Sequence, residues 1–343
     1  MGALATGLSM QSTVTIPHDH ARFQVLDGWR GVSILAVLAC HLLPLGPKPL
    51  QINFAVGVLG MSLFFTLSGF LVTHFLLSRP QVIDFLMRRF FRILPLAWLY
   101  IVLALTLYSA GRETWLAHLF FYANYPPKPL IHVTDHFWSL CVEMHFYVGV
   151  ALLVALLRQR ALLLIPLIAV GITLLRVFQH EHVSVITHLR VDEILAGSTL
   201  ALIYNRQCLT RVHALLQKVS PVVWLLLLLV ACHPASGFMN YLRPYFAAML
   251  VGSTLFRTDS RLTGTLAHPW LAYLATISFA LYVIHPLLAA SWLGSGEVIE
   301  KYAKRPLLFL VLFFSAHLST FYYEQRAIAW GKRLSRRWGG AKA

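Results

Sequence analysis

The sequence predicts an all-α, polytopic integral membrane protein with about ten transmembrane helices, and three observations carry that expectation. Hydrophobic residues fill 58% of the 343 positions and charged residues only 12%, about half the charge of an ordinary soluble domain. Mean hydropathy is +0.69. The apolar runs are long and lack the period-two alternation of a membrane β-barrel.

The runs fall at residues 28–45, 55–77, 95–109, 138–157, 161–178, 188–204, 220–234, 238–256, 270–293 and 306–328, with the weakest signal in the sixth and seventh. Lys and Arg outnumber Asp and Glu by 28 to 13. In such a chain a basic excess marks cytoplasmic loops before it marks a nucleic-acid surface, so no nucleic-acid partner is expected. Basic clusters follow every even-numbered span: Arg79, Arg88, Arg89 and Arg92; Arg158 and Arg160; Arg206, Arg211 and Lys218; Arg257 and Arg261; Lys332, Arg333, Arg336 and Arg337. Both termini are therefore expected in the cytoplasm, residues 1–24 as one tail and 329–343 as a basic one. Arg112, Lys128, Lys301, Lys304 and Arg305 on the opposite side leave the bias incomplete.

The first 24 residues lack the basic and apolar regions of a cleaved signal, and the opening Met-Gly lacks polybasic support for a lipid anchor. Cys40, Cys141 and Cys232 fall in spans and Cys208 in a basic loop, with no disulfide framework. The connection 110–137 should be partly irregular, because Pro126, Pro127 and Pro129 break helices. SRPQVIDFLMRRFFRILP, residues 78–95, reads as a separate interfacial helix. No repeat or appended soluble domain is visible, so 1–343 is expected to form one domain.

Ionisable residues inside a membrane are costly, and each is a functional candidate. In LDGWRGVSILAVLACH, residues 26–41, an advance of about 100° per residue puts Asp27, Arg30 and His41 on one stripe, roughly 20 Å long at about 1.5 Å per residue. HFWSLCVEMHFYV, residues 136–148, sets His136 and Glu143 seven apart on one face, with Trp138 and Ser139 at the entry. His132, His136, Glu143 and His145 do not repeat HExxH and nothing fixes a third ligand, so no metal is expected. In ISFALYVIHP, Ser278, Tyr282 and His285 make a polar stripe. Arg190 and Glu193 are spaced as a helical ion pair, so Arg190 and Asp192 are either scaffold or substrate contacts. His41, Glu143, Arg190, Asp192 and His285 should reach one depth from four spans, whereas His18, His20, His180 and His182 should be solvated loop residues. In RRFFR, Arg89 and Arg92 share a helix face; their guanidinium groups suit bidentate phosphate binding, or anchoring to anionic lipid.

Taken together these residues resemble the acyltransferase family 3 membrane proteins. The resemblance runs in order through LDGWRGVSILAVLACH, GVLGMSLFFTLSGFLVT, FLMRRFFRILP, FWSLCVEMHFY, LRVDEILAGSTLA and ISFALYVIHP. It implies transfer of an acyl group, most simply acetyl, from cytoplasmic acyl-CoA to a hydroxyl on a glycan at the outer face of a bacterial inner membrane. On that resemblance Arg30 and His41 match the first motif and Arg89 and Arg92 the donor-binding R-x-x-R. Glu143 matches a motif acid, so His41, Arg30 and Glu143 are the expected catalytic set. Asp27, Trp138, Ser139, Arg190, Asp192, Tyr282 and His285 are the surrounding polar site. YYEQRA lacks the proline that often follows its glutamate in the family, so Glu324 is given no role. Some relatives carry a secreted-type esterase domain after the membrane part; none is expected here, which leaves room for a separate periplasmic or glycan-assembly protein. A macrolide-like acceptor, a glycan transporter and a non-catalytic receptor are the alternatives. Intact Arg30, His41, Arg89, Arg92 and Glu143 argue against the receptor. Oligomeric state is not encoded in any recognisable signal.

Overall fold

The computed structural model describes residues 18–257 and 261–339, with side chains from residue 24 through 337 in those ranges. Fifteen α-helices lie among the described residues: α1 His18–Leu42, α2 Ile52–Ser78, α3 Val82–Leu107, α4 Arg112–Leu119, α5 Phe137–Leu157, α6 Ile165–Phe178, α7 Asp192–Tyr204, α8 Thr210–Lys218, α9 Pro221–Cys232, α10 Met239–Phe256, α11 Arg261–Leu266, α12 Pro269–Ala290, α13 Val298–Ala303, α14 Arg305–Leu318 and α15 Gln325–Gly339. Among the described residues there is no strand.

Helix starts are written in the local sequence. Ser220 and His268 each cap a helix whose first residue is proline, accepting from the Val222 and Trp270 amides, because proline fixes the helical φ and has no amide to leave unpaired. Helix α2 is apolar all round and sits centrally. Phe65, Val72 and Leu76 enter a core shared with α3, α5, α12 and α14; Leu63, Leu67 and Phe70 enter a second core shared with α1, α7, α9 and α10. Its crossing with α7 is backbone on backbone. A Cβ at Gly69 would lie 1.8 Å from the Ile194 carbonyl oxygen, and one at Gly197 would lie 2.0 Å from that of Thr66, so only glycine permits this approach. Leu107, Leu156, Leu167 and Phe178 stand exposed at 63% or more, as expected of surfaces that face lipid.

Several sequence expectations change. A helix occupies each of the ten apolar segments, but seven are long and apolar enough to cross a membrane, or eight if α8 and α9, bent by 101°, count as one. Helices α7 and α9 have 13 and 12 residues, and α10 carries buried Asn240 and Arg243. The expected interfacial helix is not separate: it and the third span form the continuous 26-residue α3, which runs through Pro95. Residues 18–24 of the expected first tail belong to α1, so His18 and His20 are helical, with side chains outside the described residues, as are residues 1–17 altogether. The expected basic tail is helical to residue 339 and packs on α3, where Trp330 meets Phe91 edge to face at 5.7 Å and Ser335 bonds Asp84. His180 and His182 are exposed as expected, with His182 lying over Tyr241. All four cysteines are free.

Candidate active site

A series of neighbouring cavities runs between the helices. The arginine cavity, about 460 Å³, is walled by Arg30 from α1, Ser68 from α2, Arg89 and Arg92 from α3, and Glu143 and Tyr147 from α5. Turning one helix face inward accounts for α3: positions 85, 89, 92 and 96 follow the three-to-four spacing of one stripe. Glu143 is 5% exposed and accepts from Ser68 Oγ at 2.6 Å and from the Tyr147 hydroxyl. Arg89 lies 5.5 Å over the Tyr147 ring, and Arg30 pairs with Asp27 at 3.4 Å. Three guanidinium groups thus share the cavity wall with one carboxylate, which leaves the cavity cationic.

Two openings adjoin it. One, about 640 Å³, lies between α3 and α15 and presents Arg88, Arg89, Arg92 and Lys332. The other, about 570 Å³, is bounded by Asp27, Arg30, Arg92, Glu324 and Gln325. Glu324 ends a π turn, Ser319–Glu324, and accepts from Ser319 and Thr320 at 3.0 and 3.1 Å.

On the other side a waist of about 250 Å³ is lined by Arg30, Ser33, Met61, Phe64, Ser278 and Tyr282. It shares Arg30 and Ser278 with the arginine cavity and Tyr282 with the next one. That third space, the histidine cavity, is the largest at about 940 Å³ and is lined by His41, Asn53, Asp135, His136, Trp138 and Arg190 among others. Burial raises the Asp135 carboxyl above the usual range, and His132 partly offsets it.

Helix α12 orders the histidines. Pro286 has no amide, so the Tyr282 carbonyl four residues earlier is free of its usual helical partner. His285 Nδ1 takes that place, 2.8 Å from Tyr282 O and 3.2 Å from Leu281 O. A carbonyl only accepts, so His285 Nδ1 carries the proton and its Nε2 the lone pair. That Nε2 faces His41 Nδ1 at 3.3 Å, which must then donate. His41 is left with an unprotonated Nε2, in a ring stacked 5.1 Å from His285. Tyr282 donates its hydroxyl to the His136 carbonyl at 2.6 Å and accepts from Ser139 at 2.5 Å.

The predicted residues therefore divide. Arg30, Asp27, Arg89, Arg92 and Glu143 gather at the arginine end; His41, His285, Tyr282, Trp138 and Arg190 gather around the histidine cavity, with Ser139 behind Tyr282. Glu143 does not join His41, and it parts from His136 because His136 lies at the start of α5 and Glu143 two turns in. Asp192 joins neither cavity: it is fully buried against Arg176 at 2.5 Å. Arg190 precedes α7 in a turn instead of lying on the helix, yet its pair with Glu193 forms at 3.3 Å. Among the described residues no three His, Cys, Asp or Glu side chains cluster as a metal set; His145 bonds Thr187 instead. Sequence reading passed over Ser68, Tyr147, Arg176 and Arg243, and gave no role to Glu324. The last three are charges within apolar runs, which was signal enough; Tyr147, four residues after Glu143, was legible as its helical neighbour.

An all-helical membrane protein with a chain of polar cavities is the class that fold and site define. The family model for acyltransferase family 3, described as an acyltransferase domain, matches residues 23–324, and the chain belongs to that family. It is similar to the O-acetyltransferase OatA of Staphylococcus aureus (strain NCTC 8325 / PS 47), 27% identical over 213 residues that cover 52% of this chain and 34% of the relative. It is also similar to the peptidoglycan O-acetyltransferase OatA of Listeria monocytogenes, 29% identical over 154 residues, 36% of this chain and 22% of the relative. The putative peptidoglycan O-acetyltransferase YrhL of Bacillus subtilis is 29% identical over 158 residues, 38% and 23%. The matched part thus spans about a third or less of these curated relatives. No solved structure matches the chain.

Proposed function

We propose that the protein is a membrane O-acyltransferase that moves an acetyl group from cytoplasmic acetyl-CoA to a hydroxyl of a cell-surface or lipid-linked glycan. The observation that carries this reading is the series of cavities joining an arginine-walled chamber to a histidine-walled one, with Arg30 and Tyr282 at the waist between them. The relatives' names point to the same chemistry. The arginine end faces the cytoplasm of a bacterial inner membrane on the basic-cluster argument, and the histidine end faces outward.

In this reading Arg88, Arg89, Arg92 and Lys332 hold the donor's phosphates, since guanidinium forks match phosphate oxygens. The thioester arm then lies along the waist. His41 Nε2 takes the proton of the acceptor hydroxyl as its oxygen attacks the thioester carbonyl. Arg30, at the arginine end of the waist and three helical turns from His41, positions the thioester arm rather than the reacting oxygen. As the carbon–sulfur bond breaks, the departing thiolate recovers a proton from His41, which returns it to its starting state. His285 positions His41 by fixing its tautomer. Glu143, held by Ser68 and Tyr147, offsets part of the arginine charge when the donor is gone. A free Nε2 is also a nucleophile, so initial-velocity patterns decide between direct transfer and an acetyl-His41 intermediate: intersecting lines favour the first, and parallel lines the second.

The test is reconstitution in vesicles with labelled acetyl-CoA supplied at one face and glycan at the other. Label should appear on the glycan with the native protein and not with His41→Ala. Equal labelling by His41→Ala would overturn the assignment.

A further inference from the structure

Three guanidinium groups and two carboxylates are buried together beside the histidine cavity. Arg176 pairs with Asp192 at 2.5 Å, and Arg190 and Arg243 share Glu193 at 3.3 and 2.7 Å, every side chain being at most 2% exposed. The group therefore keeps one positive charge without a partner charge.

The excess is localised by what each arginine does. Arg176 also donates to the backbone carbonyls of Glu181 and His182. Arg243 also donates to Asn240 at 3.3 Å and leaves only its Nη2 without a partner, away from the cavity wall. Arg190 engages only its Nη2, leaving Nε and Nη1 without a hydrogen-bond partner, which is three of its five donors. Its plane is held near the rings of Trp138 at 5.3 Å and Phe65 at 5.9 Å. Arg190 and Trp138 both belong to the wall of the cavity that contains His41. Asp135, on the same wall, makes no ion pair with it.

A buried cation with free donors is costly unless an anion meets it. We infer that Arg190 is an anion subsite for the acceptor, and that the acceptor is a sugar bearing a carboxylate, which docks on Arg190 while a hydroxyl of the same molecule reaches His41 Nε2. This deepens the acyltransferase reading and rests on it for the word acceptor. The charge left over is a single unit, which matches a carboxylate better than a phosphate dianion. It is present before any reaction, so it suits a group that is ionised in the resting substrate better than an oxygen that gains charge only at the barrier.

The experiment measures binding to the full chain in detergent, without acyl donor, by the tryptophan fluorescence that includes Trp138. The probes are N-acetylmuramic acid, its methyl ester, and N-acetylglucosamine, with glucuronic acid and glucose as a second pair carrying the carboxylate elsewhere on the ring. In at least one pair the acid should bind about tenfold or more tightly than its neutral counterpart, as for a charge-assisted hydrogen bond, and esterification should abolish the preference. Arg190→Gln should bring acid and neutral sugar to the same affinity. Should that variant not fold, the ester comparison still decides on the native protein. Equal binding of acid and neutral sugar in both pairs, or no binding of either acid at millimolar concentration, overturns the inference. Acetyl transfer is not needed for the measurement. A native protein that prefers acids yet never acetylates them refutes the acyltransferase reading alone, and one that acetylates neutral sugars without preference refutes this inference alone.

Discussion

Replacing Gly69 by alanine should loosen the crossing on which both cavities depend. The new methyl would lie 1.8 Å from the Ile194 carbonyl oxygen, where 3.4 Å is an ordinary contact, so α2 and α7 must part by roughly 1.5 Å or strain to a similar extent. Overpacking of this kind costs about 1–3 kcal/mol. A separation of that size also breaks the Ser62–Glu193 hydrogen bond, now 3.0 Å, and the Ser198 contact to the Gly69 carbonyl, now 3.2 Å. Leaving a buried carboxylate short of one donor adds about 1–3 kcal/mol. The sum is about 2–6 kcal/mol, large against the usual margin of folding. Thermal unfolding in detergent, followed by tryptophan fluorescence, should show the loss as a clearly lower midpoint. Gly197→Ala should behave alike, and the double variant should cost less than the two singles together, because one separation makes room for both methyls. A Gly69→Ala protein that melts with the native one, or singles that add in full, would refute the close-crossing argument.

Other outcomes are expected at the site and around it. Arg89→Lys with Arg92→Lys keeps the charge but removes the forks, so the KM for acetyl-CoA should rise with little change in melting; an unchanged KM would leave these residues as lipid anchors. Pro286→Ala restores an amide that competes for the Tyr282 carbonyl, so kcat should fall more than acceptor affinity, whereas a change in affinity alone would contradict the tautomer relay. Tyr147→Phe leaves Glu143 with Ser68 as its donor and should destabilise the fold by about 1–3 kcal/mol, read by the same melting assay. Burial holds the His118 imidazole below its usual range. Its Nδ1 donates to the Thr114 carbonyl and its Nε2 meets the Thr134 hydroxyl at 2.8 Å, a contact in which the neutral ring accepts. The unfolded chain takes up that proton first, so stability present above the usual imidazole range should decline as pH falls through it, and His118→Gln should flatten that slope.

Helix identity and the order of polar residues were legible because both follow from one-dimensional spacing. The stripe through Arg30 and His41 and the pair Arg89 and Arg92 needed only the helical period. Grouping was harder. Glu143 lies seven residues from His136, and periodicity alone placed them together, but besides its helical neighbour Tyr147 the carboxylate is held by Ser68, 75 positions earlier, and no local rule supplies that contact. The helical state of residues 329–339 was hidden because the segment is too polar to read as a span; its helix is held by an apolar edge against Phe91. The ten-span expectation is not met in length at α7 and α9: the apolar run of α7 is buried by protein neighbours as well as lipid would bury it, whereas α9 keeps an exposed apolar face on a helix of only 12 residues.

The π turn at Ser319–Glu324 carries one residue beyond what ordinary helical register requires. Excising a single residue there would regularise the helix and leave α15 seated on α3, since the faces before and after the turn would keep their relation. The same excision one turn further on would rotate everything downstream by about 100° and swing Trp330, Lys332 and Ser335 off their neighbours. The last helix therefore has a length tolerance confined to one short window, and the opening bounded by Glu324 lies inside it.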